Sequence, residues 1–221
     1  MRVLFFGVLL LTAIISSFAQ TKPEVDLNTL RTAKGQILTS PELPKLQLRF
    51  AKTFKYVGGH TFILYDVARA EQHFFVDADK DGNVYRFYWI QFEGYLPNIP
   101  HHYNYTSPKS VNIGGLDFFA DVAARKIDLK QGRPDSDGNR AREFLTSKGF
   151  KIASDEVMTQ RLVHLLDKEK RNELLIFYLE VLTPTGFTSA DLVEGGKAYD
   201  KWPWISEGLL RRAQSGMQLI R

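Results

Sequence analysis

The segment that most constrains the fold is residues 74–96, FFVDADKDGNVYRFYWIQFEGYL, which has a clear turn signal between two aromatic-rich flanks. The Asp-Gly dipeptide at 81–82 predicts a β-hairpin, because glycine accepts a positive φ and aspartate tolerates it. A two-residue loop places Asp77 opposite Arg86 and pairs apolar rings across the strands. A three-residue loop with the glycine in a bulge shifts this register by one and separates the two faces less well. We therefore expect the first register.

The expected register gives the second strand two apolar sides. Tyr85 then faces Ala78. One side carries Tyr85, Phe87, Trp89, Gln91 and Glu93, and the opposite side carries Val84, Tyr88, Ile90 and Phe92. A strand of this kind lies between two layers, or between a core on one side and a cavity on the other. In a cavity, Gln91 and Glu93 would be the polar groups near the mouth, since ligand pockets are mostly apolar with a few placed polar groups.

The first 19 residues have the pattern of a secretory signal peptide. Arg2 precedes an apolar run at 3–15, and small residues at Ser17 and Ala19 predict cleavage after Ala19. The run of about 13 residues is too short to span a membrane. We therefore expect a secreted or periplasmic protein with no transmembrane segment after cleavage.

Composition excludes several classes of protein. There are no cysteines, so the chain has no disulfides, no cysteine nucleophile and no thiolate metal site. The net charge of +4 is scattered along the chain, which predicts a solvated surface and no nucleic-acid partner. The roughly 200 residues after the leader suffice for one domain with a sizeable core. The sequence does not indicate an oligomeric state.

The N-terminal half predicts a β-meander. Residues 20–45 are polar with three prolines and are assigned to a leader or loop segment, with a short helix at 27–34 as its one regular element. Alternating apolar residues over 46–56 and a β-branched and aromatic run at 60–67 precede the hairpin, giving three or four consecutive antiparallel strands. No change in composition divides residues 46–221, which are assigned to a single domain.

The second half adds strands and helices. Residues 116–123 are predicted as a strand, with a helix as the alternative. Residues 157–166 fit a helix or a strand, and pairing with 174–182 favours a hairpin. Helices are predicted at 140–148 and 205–215, and the C-terminal MQLIR as an edge strand. The order predicts an α+β fold, a mainly antiparallel curved sheet packed with two to three helices on one face.

The acidic turn of the hairpin resembles a metal loop in its spacing. Asp77, Asp79 and Asp81, followed by Gly82, spell D-x-D-x-D-G, the first half of a calcium loop with oxygen ligands on alternate residues. The twelfth position is Tyr88, where such loops carry a bidentate glutamate, and strands replace the flanking helices. The sequence therefore predicts an ordinary acidic turn and no cofactor, with weak Ca²⁺ binding by the three aspartates as the alternative.

A long loop at 95–110 contains His101 and His102. Loops of this length inside a domain are often functional. Adjacent histidines point in different directions, so a metal site would need a third ligand, and a solvated loop is expected. The catalytic alternative uses Glu93, whose pKa an apolar surround would raise, as an acid with His101 or His102.

These observations support three hypotheses. The first is a non-catalytic protein that binds a small apolar or aromatic ligand through Tyr85, Phe87, Trp89, Gln91 and Glu93, with the 95–110 loop as rim or lid. The second is a hydrolase or isomerase that uses Glu93 with a loop histidine. The third is a structural or interaction protein whose aromatic face is wholly core. The sequence contains no G-x-S-x-G, H-E-x-x-H or P-loop motif.

Overall fold

Two sheets and three α-helices form the part of the chain that the computed structural model describes, residues 27–107, 109–127 and 133–221. The predicted signal peptide lies outside the described residues. The strands are β1 (Thr32–Lys34), β2 (Ile37–Ser40), β3 (Leu46–Phe50), β4 (Lys55–Leu64), β5 (Ala68–Ala78), β6 (Asn83–Tyr95), β7 (Ser110–Ile113), β8 (Leu116–Lys126), β9 (Lys151–Ile152), β10 (Glu156–Leu165), β11 (Asn172–Val181) and β12 (Met217–Ile220). The helices are α1 (Asp137–Ser147), α2 (Ser189–Leu192) and α3 (Trp202–Ser215).

The large sheet has the strand order β4-β5-β6-β11-β10-β8-β7, all antiparallel, and β9 adds a short parallel pairing to β6. The small sheet has the order β1-β2-β3-β12. The predicted α+β class is confirmed, as are the β4-β5-β6 meander and the β10-β11 hairpin. The segment at 116–123 is a strand, and the C-terminal strand lies at an edge of the small sheet.

The β5-β6 hairpin keeps the expected register from Gln72 to Asp77 and departs from it at the turn. The Asp79 carboxylate accepts the backbone N–H groups of Asp81 and Asn83 at 2.9 Å, which closes a longer turn. A bulge then absorbs one residue, so that Ala78 faces Val84 and not Tyr85. The expectation that Tyr85 shares the side of Phe87 and Trp89 is therefore wrong. Val84 packs with them, and Tyr85 is 47% exposed.

Both faces of the large sheet are covered. One packs against the small sheet, α2 and α3, in a core that includes Leu38, Leu48, Phe75, Tyr88, Ile90, Ile176 and Leu209. The other packs against α1, with Phe74, Phe87, Trp89, Ala141, Leu145 and Leu179 in its core. The expectation of helices on one face is wrong, because the central strands are apolar on both sides and each side needs a cover.

The N-terminal hairpin belongs to the fold. The expectation of a loop or short helix is wrong for residues 32–40, where β1 and β2 pair with each other and then with β3. Just before β1, Arg31 is 8% exposed and contacts the fully buried carboxylate of Glu71 at 3.1 Å. Burial alone would raise the pKa of Glu71, but hydrogen bonds from His73 and from the Leu30 and Arg31 N–H groups lower it to about 2. This cluster fixes the start of the small sheet to the large one.

The hydroxyl of Tyr88 donates to the Ala213 carbonyl at 2.7 Å and ties the centre of the large sheet to α3. We expect Tyr88→Phe to lower the free energy of unfolding by about 1–2 kcal/mol, because it removes a buried hydrogen bond and leaves the carbonyl short of a donor. Urea denaturation measures this loss, and the dependence of the unfolding free energy on urea concentration should stay unchanged. Tyr85→Phe at the exposed bulge is the matched control and should change stability by less than about 0.5 kcal/mol. Equal effects at the two positions would contradict this role of Tyr88.

Candidate ligand-binding site

The pairing of β6 with β11 builds an aromatic floor on the side that α1 covers. Trp89 is the register partner of Phe177, and Phe87 is the partner of Leu179. The rings of Trp89 and Phe177 stack with centroids 4.3 Å apart and an interplanar angle of 23°. Thr159 on β10 is in turn the partner of Leu179, so three adjacent strands contribute to one surface.

A cavity of about 430 Å³ lies between this floor and α1. Its lining comes from the floor, from α1 and the residue before it, and from β8 and β9: Phe87, Trp89, Thr159, Phe177, Leu179, Ser136, Gly138, Asn139, Ala141, Arg142, Leu145, Arg125, Lys126, Ile127 and Ile152. The predicted aromatic face is thus partly core and partly cavity wall. None of the described residues of the 95–110 loop belongs to this lining, so they do not form its rim.

Two buried polar atoms in the floor have no protein partner. The described residues contain four buried side-chain polar atoms without a hydrogen bond, and two of them, Trp89 Nε1 and Thr159 Oγ1, belong to the cavity lining. Both side chains are only 7% exposed. A buried donor or hydroxyl without a partner is costly, so this part of the floor is less stable than a fully satisfied one would be.

A row of hydrogen-bonded polar side chains continues along the same face beyond the cavity. His60 Nε2 and Gln72 Oε1 are 2.8 Å apart, and Gln72 donates to Gln91 Oε1 at 2.8 Å. Gln91 donates to Glu93 at 2.5 Å, and the Tyr103 hydroxyl donates to the other Glu93 oxygen at 2.8 Å. Every member of this row from Gln72 to Glu93 therefore has partners within the protein.

Glu93 and Glu173 are register partners on β6 and β11 and form a pair of carboxyl groups. The Tyr105 hydroxyl donates to Glu173, which is 2% exposed. Burial raises the pKa of Glu173 to about 8, with a further contribution from the charge of Glu93. Burial also raises the pKa of Glu93. A carboxyl group that keeps its proton near neutral pH can donate that proton in a hydrogen bond, or to a bound molecule.

The five predicted ligand-binding residues lie in three different parts of the structure. Phe87 and Trp89 line the cavity, and Gln91 and Glu93 lie in the polar row beside it. Tyr85 lies at the exposed bulge, where its hydroxyl donates to Asp79 at 3.3 Å. The structure therefore brings two of the five together with the cavity.

In the structure, Glu93 contacts a tyrosine of the loop and not one of the two histidines that the catalytic alternative requires. His101 and His102 are exposed, and the loop side chain that bonds to Glu93 is that of Tyr103. Tyr103 also stacks on Tyr95 with centroids 4.5 Å apart. The loop is thus held to the sheet by its tyrosines.

Two of the three aspartates of the predicted calcium alternative already have partners within the protein. Asp77 pairs with Arg86 at 2.6 Å, and both oxygens of Asp79 accept hydrogen bonds from within the turn. Among the residues that the structure describes, no group of three or more acidic or histidine side chains is placed to hold a metal ion.

Sequence reasoning missed Thr159, Phe177 and Glu173. Alternation along 174–182 and 157–166 gives the side of each residue relative to its neighbours. It does not give the strand that lies beside them, and only the β6-β11 pairing puts Phe177 on Trp89 and Glu173 opposite Glu93. The alternating pattern of these strands therefore showed which residues share a face, but it did not show which strand pairs with which.

A larger cavity, of about 730 Å³, is lined by Arg31, Leu43 and Phe92, by the Glu93 and Glu173 carboxyl pair and by the first residues of the 95–110 loop. The Arg31 guanidinium is hydrogen-bonded to Glu71, Ser40 and the carbonyls of Glu42 and Leu43. The two carboxyl groups accept hydrogen bonds from Tyr103 and Tyr105. These charged and polar groups thus have partners within the protein, which makes this cavity the weaker candidate.

Comparisons with protein-family models, curated proteins and solved structures found no match for this chain. None of the helices within the described ranges is long and apolar enough to span a membrane. Function is therefore inferred from the geometry of the site alone.

The raised pKa of Glu173 makes stability depend on pH. The folded state keeps a proton up to about pH 8 that an ordinary glutamate with a pKa of 4.5 has lost, so stability falls as pH rises between these values. We expect Glu173→Gln, which mimics the neutral carboxyl, to reduce this fall and to be more stable than wild type at pH 8. The slope removed is at most about 1.4 kcal/mol per pH unit.

Urea denaturation at pH 5 and pH 8 measures this difference, a range in which Glu71 stays ionised. Glu93 leaves a residual slope of the same sign, because burial raises its pKa too. Glu194→Gln, at an exposed position, is the control and should follow wild type. Parallel profiles for wild type and Glu173→Gln would show that Glu173 is ionised throughout.

Proposed function

We propose that this chain is an exported, non-catalytic protein that binds a small aromatic or apolar ligand in the cavity between α1 and the β6, β10 and β11 strands. The observation that carries the proposal is the floor of this cavity. There, the stacked Trp89 and Phe177 rings lie beside two buried polar atoms that have no partner. Export is supported by the signal-peptide pattern of residues 1–19.

The dimensions and chemistry of the cavity support this proposal. A volume of about 430 Å³ falls within the usual range of ligand pockets, about 300–1,000 Å³. The floor offers flat apolar area to a ring, and an aromatic ligand would gain stacking on Trp89 and Phe177.

The two other hypotheses receive less support. A hydrolase or isomerase would need Glu93 beside a loop histidine, and the contact is made by Tyr103. A purely structural protein would have its aromatic face wholly packed as core, whereas Phe87, Trp89 and Phe177 line a cavity.

Filling the cavity should abolish binding without unfolding the protein. Ala141 lies on α1 in the cavity lining, so Ala141→Leu should occupy the ring site and lower the affinity for 2-naphthalenemethanol, a neutral probe, by about ten-fold or more. Isothermal titration calorimetry measures the affinity, and urea denaturation checks that stability changes by less than about 3 kcal/mol. Ala190→Leu on the exposed side of α2 is the matched control. Unchanged affinity in Ala141→Leu would contradict the proposed site.

The unpartnered hydroxyl of Thr159 should be a liability for stability. We expect Thr159→Val, which has the same shape without the hydroxyl, to raise the free energy of unfolding by about 1 kcal/mol. Urea denaturation measures the gain. In the control Thr39→Val no gain is expected, because the Thr39 hydroxyl accepts a hydrogen bond from Gln47. A loss of stability in Thr159→Val would mean that the hydroxyl has a partner in the folded protein.

A further inference from the structure

We infer that the molecule bound in this cavity is an aromatic anion, with its rings on Trp89 and Phe177 and its acid group at a rim formed by Arg125 and Arg142. This inference rests on the proposed function and adds the chemical class of the ligand. The acid group is a carboxylate or a similar compact anion attached to the ring system.

The charge of the lining is one-sided. Among the residues that the structure describes, it contains three cationic ones, Arg125, Lys126 and Arg142, and no aspartate or glutamate. Because low-dielectric walls strengthen the field of such charges, a cavity with this lining attracts anions and repels cations.

The two arginines are available to a ligand. No hydrogen bond or ion pair of the Arg125 or Arg142 side chain is formed with another residue in the described ranges. Lys126 differs, because its ammonium group pairs with Asp155 at 3.3 Å. The acidic group whose charge is coupled to Arg125 is Asp137, which does not belong to the lining.

The start of α1 adds no free donor to this preference. Gly138 and Asn139 line the cavity there, and their N–H groups already bond to the side chains of Asp137 and Ser136. The negative group is therefore favoured by the two arginines and by the lack of acidic residues among the described residues of the lining.

The floor determines where each part of the ligand lies. A charged group against Phe87, Phe177 and Leu179 would lose its hydration without a counter-charge, so the acid group belongs at the exposed rim. The floor then takes the rings. The arrangement fits an aromatic acid better than a plain hydrocarbon or an amine.

Three probes with one ring system test this inference in the full chain. 2-Naphthoate, 2-naphthalenemethanol and 2-naphthylmethylammonium differ mainly in charge, and isothermal titration calorimetry at pH 7 gives the affinity of each. We expect the anion to bind about five-fold more tightly than the alcohol, and the ammonium to bind more weakly than both. The preference for the anion should shrink as salt rises, because the arginines are at a solvent-exposed rim.

The rim is tested by Arg125→Gln combined with Arg142→Gln. This pair should bring the ratio of the 2-naphthoate affinity to the alcohol affinity down to about one, whatever its effect on the affinity for the alcohol itself. Arg49→Gln, on β3 of the small sheet, also removes an exposed positive charge and should leave the preference as in wild type. A preference that survives in the double variant would overturn the assignment of the acid group to these arginines.

The outcomes separate this inference from the proposed function. If the alcohol binds at the cavity and 2-naphthoate binds no better, the ligand is not an anion and the proposed binding function stands. If no probe binds, and the purified protein shows no retained small molecule in native mass spectrometry, the proposed function fails with it. Tighter binding of the ammonium would overturn the inference directly.

Discussion

The structure depends on the antiparallel pairing of β6 with β11. This pairing joins the N-terminal meander to the C-terminal hairpin in one sheet, and it is made by segments far apart in the sequence. It places Trp89 on Phe177 and Glu93 opposite Glu173. The aromatic floor and the carboxyl pair are therefore products of a single register. A slip by one residue would turn each of these side chains to the opposite layer.

Local signals predicted much of the fold, and non-local pairing accounts for most of what they missed. Alternation and turn chemistry identified the hairpins and their strands, and the pattern at 140–148 identified most of α1. The sequence did not show that β1 and β2 belong to the small sheet, because their few residues have weak periodicity. For the candidate site, Phe87 and Trp89 followed from local pattern. The part played by Thr159, Phe177 and the rim arginines could not be predicted, because it depends on the order of the strands in the sheet. Alternation along a single strand does not give that order.

The aromatic face serves as core and as cavity wall at once. Near Phe74 it packs directly on α1, and around Trp89 and Thr159 the helix leaves a space. A fully packed version would be more stable, since two buried polar atoms would no longer lack partners. Proteins retain such costs where a site needs them, which is the reason to seek function at this end of α1. By contrast, the polar row from Gln72 to Glu93 is satisfied internally and acts as a rigid border beside the cavity.

The strand order also constrains how the chain reaches its native state. β4, β5 and β6 are contiguous and can form early, but the second edge of β6 stays unpaired until β11 arrives. The small sheet is complete only when β12 pairs with β3. Any state in which β6 lacks β11 exposes an aromatic edge, which is a template for pairing between molecules. The charged segment between β10 and β11 and the acidic turn before β6 place charges at the ends of these strands, where charge disfavours such pairing.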